Sequence, residues 1–363
     1  MESEDLLYTS INSDHTILTT GSHSGFKVFQ LHPLAVLQES NLGNFKIVEP
    51  YESSQLLILV GAGDQPAFSP RRLSIFNIPN QEVICETTFD ESVLSVKVNK
   101  MRIAVATIDK LYIYNTSTMK TLAVLSTAEN PKGLIALSPS HSECYLLFPA
   151  SHEKGLVQVY DSFTMQNRSI IEAHNSQLAY ITISYQGHLC ATASIKGTMI
   201  RVFSLPEGNK LFSFKRGILT AEIYSISFGV EGYFVVAASS TGTIHVYDIR
   251  NNSIRRDLTW KATIRSSLVS AASYVLPESY RDSLDTARSF AMAKVHYKKK
   301  FVAGLLPGSA GLVAVSCSGE VSVFQVDLTT GGEATLSLST HLHQIPHSQS
   351  TSLIQQTKSN EKG

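Results

Sequence analysis

A short strand pattern recurs seven times along the 363-residue chain and limits the folds open to it. Each copy alternates apolar residues with others and closes on an aromatic side chain, a period-2 pattern typical of a half-buried β-strand. The closing aromatics are Phe29, Phe76, Tyr114, Tyr160, Phe203, Tyr247 and Phe324. Their successive spacings are 47, 38, 46, 43, 44 and 77 residues. All but the last lie near the ~40–45 residues of a four-stranded blade, so the repeat predicts a seven-bladed β-propeller.

One blade carries an insertion. The interval between Tyr247 and Phe324 exceeds the preceding interval by 33 residues. We assign the insertion to about residues 255–293, a segment that mixes arginines with apolar residues. Beyond residue 329 the chain turns polar, as segments without a packed core do. The sequence therefore predicts one all-β domain over residues 1–335, with a long amphipathic loop in blade 6, and a disordered tail over residues 336–363.

Composition and charge exclude several classes of function. Apolar residues make up 43% of the chain and charged residues 17%, which suits a globular β-rich protein. The 30 basic residues balance 30 acidic ones, so the overall charge favours neither nucleic acid nor an acidic membrane, and anion binding requires a local cluster. The amino terminus does not resemble a signal peptide, and no apolar run approaches the roughly 18 residues of a membrane span. We expect a cytoplasmic protein that is monomeric and does not bind nucleic acid.

The sequence gives no sign of a metal site, a disulfide framework or a catalytic centre. The four cysteines are Cys85, Cys144, Cys190 and Cys317. They form no CxxC pair, which argues against zinc and disulfides. Three histidines near the carboxyl end have no cysteine or carboxylate beside them. Because the chain also lacks a phosphate-binding loop, an HExxH motif and a GxSxG motif, we expect no metal, no cofactor and no enzymatic activity.

One basic constellation stands out at the junction of the fifth and sixth repeats, where the chain reads Phe214, Lys215, Arg216, Gly217. Adjacent residues of an extended segment point to opposite sides, so the two cations can serve two different hollows. Hydroxyl groups beside a cation suit a phosphorylated inositol ring, which offers anionic oxygens and hydroxyls together. A Lys-Arg pair on a turn is also common as solvated surface, and serines and threonines in strands also act as structural hydrogen bonders.

The segment around this pair resembles the PROPPIN family, the propellers that include the WIPI proteins of autophagy. Phe214–Gly217 is similar to the family's L/F-R-R-G motif. The flanking residues 191–194, 196–204, 206–208 and 210–212 match as well, and residues 239–245 resemble the family's sixth-blade segment. The similarity runs from about residue 5 to residue 340. The resemblance implies a WD40-like seven-bladed propeller that binds phosphatidylinositol 3-phosphate and phosphatidylinositol 3,5-bisphosphate at two sites on its rim.

Carried over by position, the family's residues give two sets of site residues in this chain. The first phosphoinositide site would comprise Thr192, Ser194, Thr198, Arg201 and Lys215. The second site would comprise Arg216, Ser240, Thr243 and His245. The chain departs from the family at Lys215, where arginine is usual. Lysine keeps the charge but lacks the bidentate fork that grips a phosphate, so we expect a weaker or less selective first site.

Members of the family carry, at the position of the inserted segment, an amphipathic loop that enters the bilayer, and the resemblance implies the same role here. The apolar residues assigned to insertion are Leu268, Val269, Tyr274, Val275 and Leu276. They could equally cover the edge of the blade as a small satellite core, and the sequence leaves both readings open.

The resemblance thus implies a peripheral membrane effector that reads phosphoinositides and recruits autophagy proteins on pre-autophagosomal, endosomal or vacuolar membranes. The alternative is a WD-repeat scaffold that binds only proteins. Protein partners in the family commonly bind the second and third blades. Basic residues in this part of the chain are Lys97, Lys100, Arg102 and Lys110. These could form a modest basic group at that surface, or simply be solvated residues at strand edges that discourage edge pairing.

Overall fold

The computed structural model describes residues 6–51, 55–139, 143–250, 287–297 and 299–348. These residues form seven sheets, almost wholly antiparallel, each built mainly from consecutive segments of the chain. In the described part of the chain, no helix is long and apolar enough to cross a membrane. The predicted all-β, seven-bladed propeller is confirmed, and each sheet is one blade.

The first four blades contain four strands each. Blade 1 consists of β1 (Tyr8–Ile11), β2 (Ile17–Gly21), β3 (Phe26–Leu31) and β4 (Leu34–Ser40). Blade 2 consists of β5 (Phe45–Pro50), β6 (Leu56–Gly61), β7 (Arg72–Asn77) and β8 (Glu82–Thr88). Blade 3 consists of β9 (Ser95–Val98), β10 (Arg102–Ala106), β11 (Lys110–Asn115) and β12 (Thr121–Ser126). Blade 4 consists of β13 (Ala136–Leu137), β14 (Tyr145–Pro149), β15 (Gly155–Asp161) and β16 (Gln166–His174).

The remaining strands make three further blades. Blade 5 consists of β17 (Leu178–Ile183), β18 (Leu189–Ser194), β19 (Met199–Ser204) and β20 (Lys210–Lys215). Blade 6 consists of β21 (Ile223–Phe228), β22 (Phe234–Ser239), β23 (Thr243–Asp248), β24 (Ala291–Lys294) and the short β28 (Gly332–Glu333). Blade 7 consists of β25 (Phe301–Leu305), β26 (Gly311–Ser316), β27 (Glu320–Gln325) and β29 (Thr335–His341). A 3₁₀ turn, Leu342–Gln344, follows β29.

The seven repeat markers all lie on the third strand of their blade. This strand is flanked by two neighbours in its own sheet, and its faces pack against adjacent blades, so an alternating apolar pattern is retained there. Apolar clusters fill the space between successive blades; one of them joins Phe214 of blade 5 to Tyr247 of blade 6. The regular spacing of the markers therefore reflects the regular repeat of one blade.

The predicted end of the propeller at residue 335 is wrong. Residues 335–341 form β29, the outer strand of blade 7, and pair along the length of β27. The chain then reaches blade 1, where the Val36 amide donates to the Pro346 carbonyl at 2.9 Å and the Ser348 amide donates to the Val36 carbonyl at 2.9 Å. Leu342 and Ile345 are buried in the same cluster as Phe29. The propeller thus extends to residue 348, and the rest of the predicted tail lies outside the described residues.

The predicted insertion falls within blade 6, between β23 and β24, but its far boundary is also too late. Residues 291–293 belong to β24, which pairs with β23, so the insertion ends before residue 291. Residues 251–286 lie outside the described part of the chain. They include Leu268, Val269, Tyr274, Val275 and Leu276, so both readings of the loop remain open.

The basic residues of blade 3 do not form one cluster. Lys97 lies on the innermost strand and makes an ion pair with the buried Glu49, which also accepts a hydrogen bond from the Tyr8 hydroxyl at 2.6 Å. Arg102 is buried between blades, where its Nε donates to the Ser162 carbonyl at 2.7 Å. These two cations stabilise the interior, so the proposed basic group at this surface is not formed.

Candidate functional site

The four-residue motif lies where the outer strand of blade 5 ends. Phe214 is buried, and its ring stacks on Phe212 at 5.7 Å and on Tyr247 at 4.6 Å between centroids. Successive residues of a strand face opposite sides of the sheet. Because Phe214 faces blade 6, Lys215 faces the cleft between blades 4 and 5, where its side chain is exposed. The two cations therefore face different clefts.

Hydroxyl and cationic side chains line the face of blade 5 that looks toward blade 4. Thr192 is opposite Arg201 in the register of β18 and β19, and Arg201 is opposite Ser213 in β20. Ser194 and Lys215 each lie two residues further along the same face. Thr192 and Ser194 are buried, whereas Lys215 is exposed. Four of the five residues predicted for the first site thus share one face of the cleft.

Thr198 is the exception in this set. It lies on the turn between β18 and β19, and its carbonyl accepts hydrogen bonds from the backbone amides of Arg216 at 2.8 Å and Gly217 at 3.4 Å. Thr198 therefore contacts the motif through its backbone, on the side of Arg216.

Two residues of this cleft escaped the sequence analysis. His174 ends the outer strand of blade 4, shares a 2.9 Å hydrogen bond with the Thr192 hydroxyl, and lies 3.4 Å from an Arg201 nitrogen. Ser213 has a buried hydroxyl without a hydrogen-bond partner among the described residues. Ser213 lies two residues before Lys215 on the same strand, so the period-2 alternation of a strand is sufficient to predict that both face this cleft. Nothing local identifies His174, because it enters the cleft from the preceding blade.

Arg216 is buried at the edge of the second cleft, between blades 5 and 6. Its Nε donates to the Gly197 carbonyl at 2.6 Å, and its Nη2 donates to the Leu219 carbonyl. It makes no ion pair with any described residue. Burial lowers the pKa of Arg216, and the guanidinium remains charged because its ordinary pKa is so high. A buried cation without a carboxylate partner favours an anion nearby.

Two unpartnered polar atoms lie beside this guanidinium. His245 and Tyr247 are on the face of β23 that looks toward blade 5, and His245 is opposite Ala237 in the sheet. The His245 Nδ1 and the Tyr247 hydroxyl are buried without a hydrogen-bond partner in the described chain. Burial, and then the charge of Arg216, lowers the pKa of His245 to about 4. In the sequence Tyr247 is visible only as a repeat marker, and nothing local to it predicts that its hydroxyl lies in this cleft.

The other two residues predicted for the second site lie nearby. Thr243 opens β23 and shares the face of His245, two residues away. Ser240 is exposed on the turn before it, and its hydroxyl accepts a hydrogen bond from the Glu222 amide at 3.1 Å. Ser240 therefore also fixes the linker between the two blades.

The neutral state of His245 predicts a pH dependence of stability. The pKa of His245 is lowered from 6.5 to about 4 in the folded protein, so the unfolded chain takes up a proton that the folded one does not. The contribution of His245 to the free energy of unfolding is therefore fully present above pH ~6.5 and is lost as the pH falls toward ~4. We expect a His245→Asn variant to lose less stability than the wild type between pH 7 and pH 5 in urea unfolding. Equal losses in the two proteins would contradict this assignment.

The end of the inserted segment contacts the motif strand. Ala287 accepts a hydrogen bond from the Lys215 amide at 2.9 Å, and its own amide donates to the Ser213 carbonyl at 3.2 Å. The chain leaving the insertion thus lies along the edge of blade 5 before it joins blade 6. Within the described ranges, no group of three or more histidine, cysteine, aspartate or glutamate residues is arranged to hold a metal.

Comparisons with known proteins agree with this architecture. The chain matches the sequence model of the PROPPIN family over residues 6–343. It is 35% identical to autophagy-related protein 18 of Dictyostelium discoideum, over 92% of each chain. It is 33% identical to WD repeat domain phosphoinositide-interacting protein 2 of Gallus gallus, over 91% of this chain and 77% of the relative. A solved structure of Kluyveromyces lactis Hsv2 covers 94% of this chain with a TM-score of 0.75 at 16% identity. The chain belongs to the PROPPIN family.

Proposed function

We propose that this protein is a peripheral membrane effector that binds phosphatidylinositol 3-phosphate and phosphatidylinositol 3,5-bisphosphate at two sites on its rim. The first site is the cleft between blades 4 and 5 that Lys215 faces. The second is the cleft between blades 5 and 6 that Arg216 faces. The protein acts by binding and not by catalysis, in keeping with its family.

One observation carries this proposal: polar atoms without partners lie on both sides of the motif. Ser213 leaves its hydroxyl unpartnered in the first cleft, and His245 and Tyr247 each leave one atom unpartnered in the second. Buried polar groups are normally hydrogen-bonded, because leaving one unsatisfied costs ~1–3 kcal/mol. Three such atoms beside two cations indicate sites built for a ligand that both accepts and donates hydrogen bonds.

A phosphorylated inositol ring has this chemistry. Its phosphates accept charge-assisted hydrogen bonds from Lys215 in one cleft and Arg216 in the other. Its free hydroxyls can donate to the His245 Nδ1, which is an acceptor if the neutral ring carries its proton on Nε2. An anion without hydroxyl groups, such as sulfate, would leave such acceptors unsatisfied.

Two weak sites on one rigid rim bind a membrane far more tightly than either site alone. Each charge-assisted hydrogen bond contributes ~1.5–3 kcal/mol before ordering costs, so a single shallow site is weak. Once one headgroup is held, the second binds at a high effective concentration. Each basic residue near the anionic leaflet adds ~1 kcal/mol. The membrane-inserting role of the blade 6 insertion belongs to the same proposal, supported by the contact of Ala287 with the motif strand.

Recruitment of autophagy proteins to pre-autophagosomal, endosomal or vacuolar membranes completes the proposal. Its support is the relative named as autophagy-related protein 18, together with one solved complex of a related propeller, KlAtg21, with the coiled coil of AgAtg16. The outer strand of blade 2 exposes Val83 and Ile84, and that of blade 3 exposes Val124. These apolar side chains suit a protein contact and also fit the alternative of a scaffold without lipid binding.

Flotation with liposomes that carry different phosphoinositides separates the two functions. We expect flotation only when the lipid has a 3-phosphate, and titration with soluble headgroup should reveal two sites of unequal affinity. The weaker site should be the one that contains Lys215, because lysine cannot form the bidentate contact. Flotation independent of the 3-phosphate would refute the lipid-reader proposal, and two equal sites would refute the role given to Lys215.

A further inference from the structure

Two neighbouring aliphatic side chains project from the linker that follows the motif. Ile218 and Leu219 are 83% and 79% exposed, and the next most exposed large apolar residue in the described ranges is Phe163 at 64%. Single exposed apolar residues are normal on protein surfaces. A consecutive pair this exposed, separated from Lys215 and Arg216 only by Gly217, points to a surface that meets an apolar phase.

The linker that carries this pair is held firmly at its base. The Arg216 amide donates to the Thr198 carbonyl at 2.8 Å, and its guanidinium donates to the carbonyls of Gly197 and Leu219. Further on, the Ala221 amide donates to the Lys196 carbonyl at 3.2 Å. These bonds tie the linker to the turn between β18 and β19 while the two aliphatic side chains stay outside. Gly217, at the start of the projection, has open space where a Cβ would lie.

The charges around the pair favour an anionic surface. Lys196 and Lys215 are both exposed, and neither makes an ion pair with a described residue. The nearest carboxylate along the chain, that of Glu222, is paired with Lys300 at 2.6 Å. Aliphatic side chains flanked by exposed lysines are typical of segments that lie in the interface of an anionic membrane. A pocket on a protein partner would not require this arrangement.

We propose that Ile218 and Leu219 insert into the lipid interface between the two headgroup sites, as a membrane anchor separate from the blade 6 insertion. The inference rests on the proposed function, since the two headgroups fix the orientation in which this turn faces the bilayer. The partner is a membrane that carries anionic lipid. Arg216 then has two tasks, because it faces the second cleft and also holds the anchor in position.

The test compares vesicle binding with headgroup binding. We expect Ile218→Ser/Leu219→Ser to bind phosphatidylcholine vesicles that contain phosphatidylinositol 3-phosphate at least tenfold more weakly than the wild type, because two apolar side chains no longer leave water. Its affinity for soluble inositol 1,3-bisphosphate should stay within twofold of the wild type. The matched control, Val83→Ser/Ile84→Ser, removes an exposed aliphatic pair from blade 2 and should keep wild-type vesicle binding.

Each other outcome overturns a specific claim. Unchanged vesicle binding in Ile218→Ser/Leu219→Ser overturns the anchor, and so does an equal loss in the blade 2 control. A parallel loss of headgroup binding would mean that the pair shapes the second cleft instead of entering lipid. If the wild type binds neither headgroup nor vesicles, the proposed function itself fails, and the anchor fails with it.

Discussion

Replacing both cations of the motif, Lys215→Thr/Arg216→Thr, should reduce liposome binding by at least a hundredfold. Each cation supplies charge-assisted hydrogen bonds worth ~1.5–3 kcal/mol to one headgroup, and ~1.4 kcal/mol corresponds to a factor of ten in affinity. Losing both sites also removes the gain from simultaneous binding. The measurement is co-sedimentation with vesicles that contain phosphatidylinositol 3-phosphate.

The fold should survive this double substitution. Lys215 is exposed, and the strands of blades 5 and 6 pair without the Arg216 side chain, which bonds to the carbonyls of Gly197 on a turn and of Leu219 on the linker. The matched control is Lys120→Thr/Lys132→Thr, which removes the same charge from two exposed positions in and next to blade 3. Full binding by the motif variant would contradict the two-site proposal. Unfolding of that variant would show that the pair is structural.

Phe214→Ala should be the most destabilising single substitution in the motif, at about 3–5 kcal/mol. Truncating a buried phenylalanine loses its transfer free energy and leaves a cavity. The Phe214 ring also stacks on Phe212 and Tyr247, so its removal loosens the contact between blades 5 and 6. Urea unfolding measures the change.

The same substitution should also lower the headgroup affinity of the second cleft. Tyr247 loses the ring on which it stacks, and its hydroxyl lies beside Arg216 in that cleft, so headgroup affinity should fall there even in folded protein. Phe163→Ala, which truncates the same side chain at an exposed site in blade 4, should change stability by less than ~0.5 kcal/mol. A loss below ~1 kcal/mol in Phe214→Ala would show that this contact does not join the two blades.

The sequence was sufficient to predict the fold because the repeat is local. Each marker lies on a third strand that is covered on both faces, so alternation and spacing survive in the sequence. The outer strand β29 was missed for the opposite reason. Residues 335–339 are exposed on both faces, and only Leu336 and Leu338 interrupt a polar composition that resembles a tail.

In the candidate site, too, the residues visible in the local sequence were predicted, and those that depend on the packing of other blades were not. The motif and its neighbours on β18, β19 and β23 were assigned because the local segments that contain them resemble the family's. His174 was missed because its place in the first cleft depends on how blade 4 packs against blade 5. The hydrogen bonds of Arg216 to Gly197 and Leu219 depend on the path of the linker. An alternating sequence pattern does not predict the path of an irregular segment.

The two ends of the described chain meet at the junction of blades 7 and 1 without exchanging a strand. At each of the other six junctions the chain runs on from the fourth strand of one blade into the first strand of the next. Here residues 342–348 run from β29 only to the outer strand β4 of blade 1, which they hold through the two amide bonds at Val36, and a cavity of about 520 Å³ opens beside the junction. Under heat or mechanical load, we expect the ring to part there first. The segment from His174 to Tyr247, which bears both headgroup clefts, lies away from that seam, so an opened ring would still present an intact lipid-reading edge.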